Sequence, residues 1–167
     1  MRRAWLTGTT VLVAAGVLTG CSPAQLSLVA AYNGDDGKPW IMLAPCGRND
    51  ITSVRVSSRP TGPDRSPHAP GAGQESGWRS GFDPGIGGGS LPLFEPPASW
   101  SAEPDGEQRI LPGHQYIAEF YSPEDGAYYG QVYFTAEDLA GLEPGEVWAD
   151  DRAMTRKEFR EHRAEQC

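Results

Sequence analysis

Lysine and arginine are scarce in this chain, 14 against 22 aspartates and glutamates, and the formal net charge is −8. There is no basic stripe to meet a phosphate backbone, and an acidic domain repels nucleic acid, so the composition argues against nucleic-acid binding. Histidine is scarcer, with only His68, His114 and His162. None has a local partner pattern for a catalytic triad, and the G-x-S-x-G elbow of a hydrolase nucleophile does not occur. No second apolar span follows the first twenty residues, and no internal repeat is visible. Cysteine is limited to Cys21, Cys46 and Cys167.

The N-terminus is a short basic start, Met1-Arg2-Arg3, followed by an uncharged and mostly apolar run from Ala4 to Val17. That run falls short of the roughly 20 residues a bilayer-spanning helix needs, and it has the layout of a secretory signal. It ends Leu18-Thr19-Gly20-Cys21, which resembles the bacterial lipobox. The resemblance implies a diacylglycerol thioether on Cys21, cleavage before it, and a mature chain that begins there. More than one acyl chain gives stable attachment to a bilayer. Residues 1–20 are then a signal peptide, 21–25 an anchor and tether, and 26–167 one domain. Arg2-Arg3 ahead of Trp5-Leu6 faintly resembles a twin-arginine signal, so the export route stays open.

With Cys21 acylated, Cys46 and Cys167 remain. In an oxidising compartment two leftover cysteines pair, closing a loop of about 121 residues, worth roughly 5 kcal/mol at most in the chain-entropy description. The alternative is a reactive Cys46, its thiol acidified by Arg48 in Pro45-Cys46-Gly47-Arg48.

Along the mature chain, strands are expected at Leu26–Tyr32, Pro39–Pro45, Ile51–Ser58, Gly77–Phe82, Leu91–Phe94, Glu107–Leu111 and Ala127–Thr135, with another starting at Tyr116, and Pro144-Gly145 is a turn before Glu146-Val147-Trp148. Asn33 to Gly37 has turn chemistry, and it lacks the alternating carboxylates and twelfth-position Glu of a calcium loop. Arg59 to Ser76, rich in Pro, Gly and Ser, is expected as a long surface loop. Asp83 to Ser90 carries Gly85, Gly87, Gly88 and Gly89 but no Lys-Ser/Thr into a helix, so it is a flexible turn and not a phosphate loop. Ser122 to Gly126 is a hairpin signal, and Ala136 to Leu139 a single helical turn. Thr155-Arg156-Lys157-Glu158 is a capping box that opens a helix to about Gln166, with Phe159 as its one good apolar anchor.

Ile110-Leu111-Pro112-Gly113-His114-Gln115-Tyr116 resembles the L-x-P-G-T-x-Y corner of fibronectin type III domains, with His114 in place of Thr. The resemblance implies a structural Tyr116 whose hydroxyl returns to backbone near the turn. Strands separated by turns, with one terminal helix, predict a mainly β, antiparallel sandwich of Ig-like or fibronectin-like type.

Candidate site residues are few. His162 and Glu165 share a helix face at a zinc-compatible spacing, but a site needs a third ligand, and a solvated ion pair accounts for them. Asp150-Asp151 reads as turn or helix-N-terminal charge in preference to an acid pair. In Tyr128 to Phe134, alternation places Tyr128, Val132 and Phe134 in the core and Tyr129, Gln131 and Tyr133 on the other face. Exposed Tyr129 and Tyr133 would form a binding face; the plain alternative is aromatics filling a small β core. No cofactor or metal motif is present.

The lipobox, an early strand ending in Cys, and a Phe-bearing C-terminal helix ending near a second Cys together resemble small uncharacterised lipoproteins of high-GC Gram-positive (actinobacterial) bacteria. The resemblance implies location and architecture. The expectation is a non-enzymatic, membrane-anchored module outside the cytoplasmic membrane that binds an envelope protein or glycan; the alternative is an envelope hydrolase.

Overall fold

The computed structural model describes residues 22–48, 50–62, 76–123 and 127–167. Its strands, in chain order, are β1 (Ala24–Leu26), β2 (Val29–Asn33), β3 (Pro39–Leu43), β4 (Ile51–Pro60), β5 (Ser76–Ile86), β6 (Gly89–Pro92), β7 (Glu103–Gly106), β8 (His114–Ser122) and β9 (Tyr128–Thr135), followed by helix α1 (Ala136–Ala140), then β10 (Glu146–Ala149), β11 (Arg152–Thr155) and helix α2 (Arg156–Gln166). One sheet has the order β1-β9-β8-β4-β5-β7, the other β11-β10-β2-β3-β6. The mainly β sandwich with a short C-terminal helix is thus present. One pair departs from the antiparallel expectation: β1 runs parallel to β9.

The period of two decides where the core lies. From the six-stranded sheet, Val54, Val56, Trp78, Tyr116, Ala118, Phe120, Val132 and Phe134 point inward; from the other, Val29, Ala31, Ile41, Leu43 and Leu91 meet them. The opposite face of the five-stranded sheet is buried as well. There Ala30, Tyr32, Val147, Ala149 and Met154 pack around Phe159 of α2, which is fully buried. A strand covered on both faces needs a continuous apolar run, and Val29-Ala30-Ala31-Tyr32 is one.

Helix α2 is held at both ends. At its start the Thr155 hydroxyl accepts from the Glu158 N–H, while the Thr155 N–H donates to the Glu158 carboxylate at 2.7 Å. That backbone donor holds the Glu158 carboxyl below its usual range. Near its end Arg163 Nε donates to the carbonyls of Ala44 and Pro45, each at 3.1 Å. Beyond it, Cys167 is joined to Cys46 by a disulfide. With both sulfurs in the bridge, Cys46 is no free nucleophile, and the reactive-thiol alternative is overturned.

Tyr116 is fully buried and stacks on Phe134 at a centroid distance of 5.5 Å. Its hydroxyl donates to the Arg109 carbonyl at 3.1 Å and accepts from the Leu111 N–H at 2.7 Å. Gly113, at φ 66, supplies the left-handed residue of the preceding turn. Tyr116→Phe removes both bonds and strands a buried N–H, so urea unfolding should register a loss of about 1–3 kcal/mol.

Several local expectations are corrected. Leu26 to Tyr32 is not one strand: the chain leaves β1 at Leu26 and enters β2, in the opposite sheet, at Val29. The stretch 21–25, read as tether, already carries strand at Ala24 and Gln25. Asp83 to Ser90 is largely strand, because β5 runs to Ile86 and β6 starts at Gly89. A side chain at Gly88 would collide with the Leu43 carbonyl and Pro45, so the glycine permits that close approach. The strand expected at Glu107–Leu111 lies earlier, as β7, where every residue is exposed and no apolar period marks it. Arg59 and Pro60 belong to β4 and Ser76 to β5; residues 63–75 of the expected loop, with His68, lie outside the described residues, as does the 124–126 portion of the Ser122–Gly126 hairpin. β11 was not expected. Asp150 and Asp151, at φ 52 and 54, form a two-residue turn that pairs it with β10, so they are turn residues.

Candidate functional site

Among the described residues no helix packs across the outer face of the six-stranded sheet. Its residues fall into cross-strand rows fixed by register. One row reads Tyr129, Tyr121, Ser53, Gly81 across β9, β8, β4 and β5. The next reads Gln131, Glu119, Arg55, Arg79, Glu103, ending on β7. A third sets Tyr133 beside Ile117 and Ser57. Tyrosines therefore stand along β8 and β9, and small residues floor β4 and β5.

Tall beside small makes hollows. A depression of about 580 Å³ lies over Ser53 and Gly81, bordered by Tyr121, Tyr129, Arg55 and Arg79. A second, of about 300 Å³, lies over Ser57 and Gly77, bordered by Tyr133, Arg59 and Gln115. Arg55 borders both. Tyr129 and Tyr133 are four residues apart on one strand, about 13 Å at the usual rise. Both are half-buried, which leaves part of each ring available for contact. Tyr121 and Tyr129 lie with centroids 5.0 Å apart.

The polar groups are partly engaged with one another. Arg59 donates to Gln115 Oε1 from Nε at 3.1 Å and from Nη2 at 2.6 Å. Arg79 pairs with Glu103 at 2.8 Å. Arg55 approaches Glu119 only to 4.0 Å, with 60% of its side chain exposed. Gln131 donates to Gln25 of β1 at 3.1 Å. Serine hydroxyls, guanidinium forks and a carboxamide beside aromatic rings can stack on an apolar ligand face while hydrogen-bonding its polar edge.

Sequence reasoning located Tyr129 and Tyr133 through alternation and missed Tyr121. The same alternation, carried from the buried Tyr116 along β8, would have turned Tyr121 outward. Most of the other aromatics are structural. Trp78 is buried, Trp148 Nε1 donates to the Tyr133 carbonyl at 2.8 Å, and the Tyr128 hydroxyl accepts from the Cys46 N–H at 2.9 Å. The plain alternative, aromatics as core, thus accounts for these but not for Tyr121, Tyr129 and Tyr133.

The remaining candidates do not converge. His114 faces the core, with Nδ1 at 3.0 Å from the Pro112 carbonyl. His162 lies on α2, its Nε2 at 3.8 Å from the Asp150 carboxylate. Among the described residues no group of three His, Cys, Asp or Glu side chains could hold a metal ion. Asp36, in the Asn33–Gly37 turn, accepts from the Lys38 N–H at 3.1 Å and from Trp40 Nε1 at 3.2 Å, so its carboxylate closes the turn.

Cys21 lies outside the described residues. Two residues on from Ser22, Ala24 pairs with Tyr128, so the chain joins the sheet at the Tyr129 end of the face. Among the described residues no helix is long and apolar enough to cross a membrane. Comparison with known proteins finds no matching family model, no matching curated protein and no matching solved structure.

Proposed function

We propose that this chain is a lipid-anchored binding module held outside the cytoplasmic membrane through Cys21, and that the open face of its six-stranded sheet takes an envelope glycan. The observation that carries the reading is the pair of tyrosine-bordered depressions on that face, over which no described helix packs. Sugar rings offer apolar faces to Tyr121, Tyr129 and Tyr133, and hydroxyls to the Arg, Gln and Ser side chains between them. The order of basic start, apolar run and lipobox supports the location, and an extracytoplasmic compartment suits the Cys46–Cys167 bridge. Of the described histidines, neither His114 nor His162 borders the depressions, and the carboxylates of the larger one, Glu103 and Glu119, lie beside Arg79 and Arg55.

The test is retention of the detergent-solubilised full chain on polysaccharide purified from the envelope of the producing cell. The double variant Tyr129→Ala/Tyr133→Ala should lose about tenfold or more in retention, in line with stacking losses of about 0.5–1.5 kcal/mol per ring on top of lost burial, with a lowered thermal midpoint that still leaves the chain folded at the assay temperature. Unchanged retention would sink the aromatic-face reading. Location is tested separately by mass analysis of the membrane fraction without reduction: an N-terminal peptide starting at acylated Cys21 is expected, and residues 1–20 still attached to an unmodified Cys21 would overturn it.

A further inference from the structure

We infer that the glycan bound by this face is acidic, and that a carboxylate or phosphate group on it docks between Arg55 and Arg79. The inference rests on the face being the binding surface, and it adds the charge of the ligand and the place where that charge sits.

Arg55 of β4 lies directly opposite Arg79 of β5. Side chains so placed in an antiparallel pair have Cβ atoms about 4.5–5.5 Å apart, and like charges there repel. The two carboxylates of the row lie outside this pair, Glu119 across β8 on one side and Glu103 across β7 on the other. The row therefore runs minus, plus, plus, minus. A row arranged for stability alone would alternate its signs. Here two positive charges meet at the centre of an open face, in a protein whose net charge is −8.

The flanking carboxylates answer that charge unequally, Glu103 holding Arg79 at 2.8 Å and Glu119 leaving Arg55 the freer of the two. Glu119 comes no nearer to Arg55 than 4.0 Å, and the Arg79–Glu103 pair is exposed at 76% and 69%, where solvent screens it. Guanidinium forks match carboxylate and phosphate geometry, and charge-assisted bonds to them are stronger than neutral ones. An anion placed between the forks relieves their repulsion as well as pairing with both.

The position also fits the neighbouring hollows. Both guanidiniums border the larger depression, and Arg55 is the ridge between it and the smaller one. An acidic group over the arginines would carry sugar rings outward on either side, toward Tyr121 and Tyr129 in one direction and Tyr133 in the other. The ligand shape is an extended chain along the strands, acidic at its middle. Because the rest of the protein is acidic, polyanions are not attracted in general, and recognition depends on this one pair.

The experiment uses the same immobilised envelope polysaccharide in three forms: untreated, carboxyl-reduced, and stripped of phosphate. Wild type is compared with Arg55→Gln, Arg79→Gln and Tyr129→Ala/Tyr133→Ala. Each arginine variant should lose about tenfold or more in retention on the untreated form, the scale of one charged hydrogen-bonding group. Its thermal midpoint should change little, because removing a like-charge neighbour offsets the loss of an exposed pair with Glu119 or Glu103. Wild type should lose retention on whichever treated form lacks the recognised acid, and on the untreated form with rising salt. The inference is overturned if wild type holds all three forms equally, or if the arginine variants bind as wild type while the tyrosine variant fails; the glycan reading survives that result. No retention of wild type on any form would overturn the glycan reading, and this inference with it.

Discussion

Replacing Cys46 and Cys167 together by serine should lower the unfolding free energy by about 3–5 kcal/mol, read as a drop in the urea midpoint with a slope that rises as the opened unfolded chain exposes more surface. The bridge spans 121 residues, and long loops lose the most entropy when closed in the unfolded chain. The native state depends on it too. Helix α2 has one buried side chain, Phe159, and a helix of 11 residues is marginal without tertiary support. Without the bridge, its last turn is retained by Arg163 and the carbonyls of Ala44, Pro45 and Cys46. Hydrogen exchange should therefore accelerate first in α2 and in the adjoining β10 and β11, while β8 and β9 keep their protection below the new midpoint. A loss under about 1 kcal/mol would mean that the Phe159 and Arg163 contacts dock the helix by themselves.

A loss of similar size is expected at Trp78. Its ring is almost fully buried, and Nε1 donates at 2.6 Å to the carbonyl of Leu93, just past β6 in the opposite sheet. The indole thus fills the space between the sheets and also links them. Trp78→Ala should cost about 3–5 kcal/mol from the cavity. Trp78→Phe keeps much of the volume and leaves the Leu93 carbonyl unpaired, so it should cost about 1–3 kcal/mol. The two variants separate packing from hydrogen bonding in urea titrations. Because Arg79 follows Trp78 on β5, Trp78→Ala should also weaken polysaccharide retention through displacement of the strand, whereas Trp78→Phe should leave it intact. Equal costs for the two variants would contradict the cavity argument.

What could be read from the chain and what could not divide along physical lines. Strands with one wet face declare themselves by alternation: Ile51 to Ser58 and Tyr128 to Phe134 place Val54, Val56, Val132 and Phe134 inside, as found. The Thr155–Glu158 capping box is local and is present. The Cys46–Cys167 pairing, present in the structure, is what counting thiols gives once export is expected. β7 carries no such sign, because Glu-Pro-Asp-Gly is exposed throughout and becomes strand only by pairing with β5. β1 is three residues long, and its parallel partner is about a hundred residues away in sequence. The juxtaposition of Arg55 and Arg79 is a matter of register across a bulge between Ile51 and Ser53, and no local pattern reports register between strands joined by a long connection.

The short parallel ladder between β1 and β9 has a mechanical meaning. Chain entering from Ser22 becomes β1, and β1 lies against the strand that carries Tyr129 and Tyr133. Tension between a molecule held on those tyrosines and the chain ahead of Ala24 need not travel the covalent path through β2 and β3. It is transmitted sideways, from β9 to β1. A pull along β1 loads the bonds of that ladder in shear, all together, where a perpendicular pull would peel them off one at a time. The ladder has only three paired positions, Ala24, Gln25 and Leu26, with the Gln131–Gln25 side-chain bond beside it. If the face binds as proposed, this ladder is where such a load would first be felt: three paired positions would part before the sandwich does, paying out a few residues of slack while the rest of the sheet stays folded.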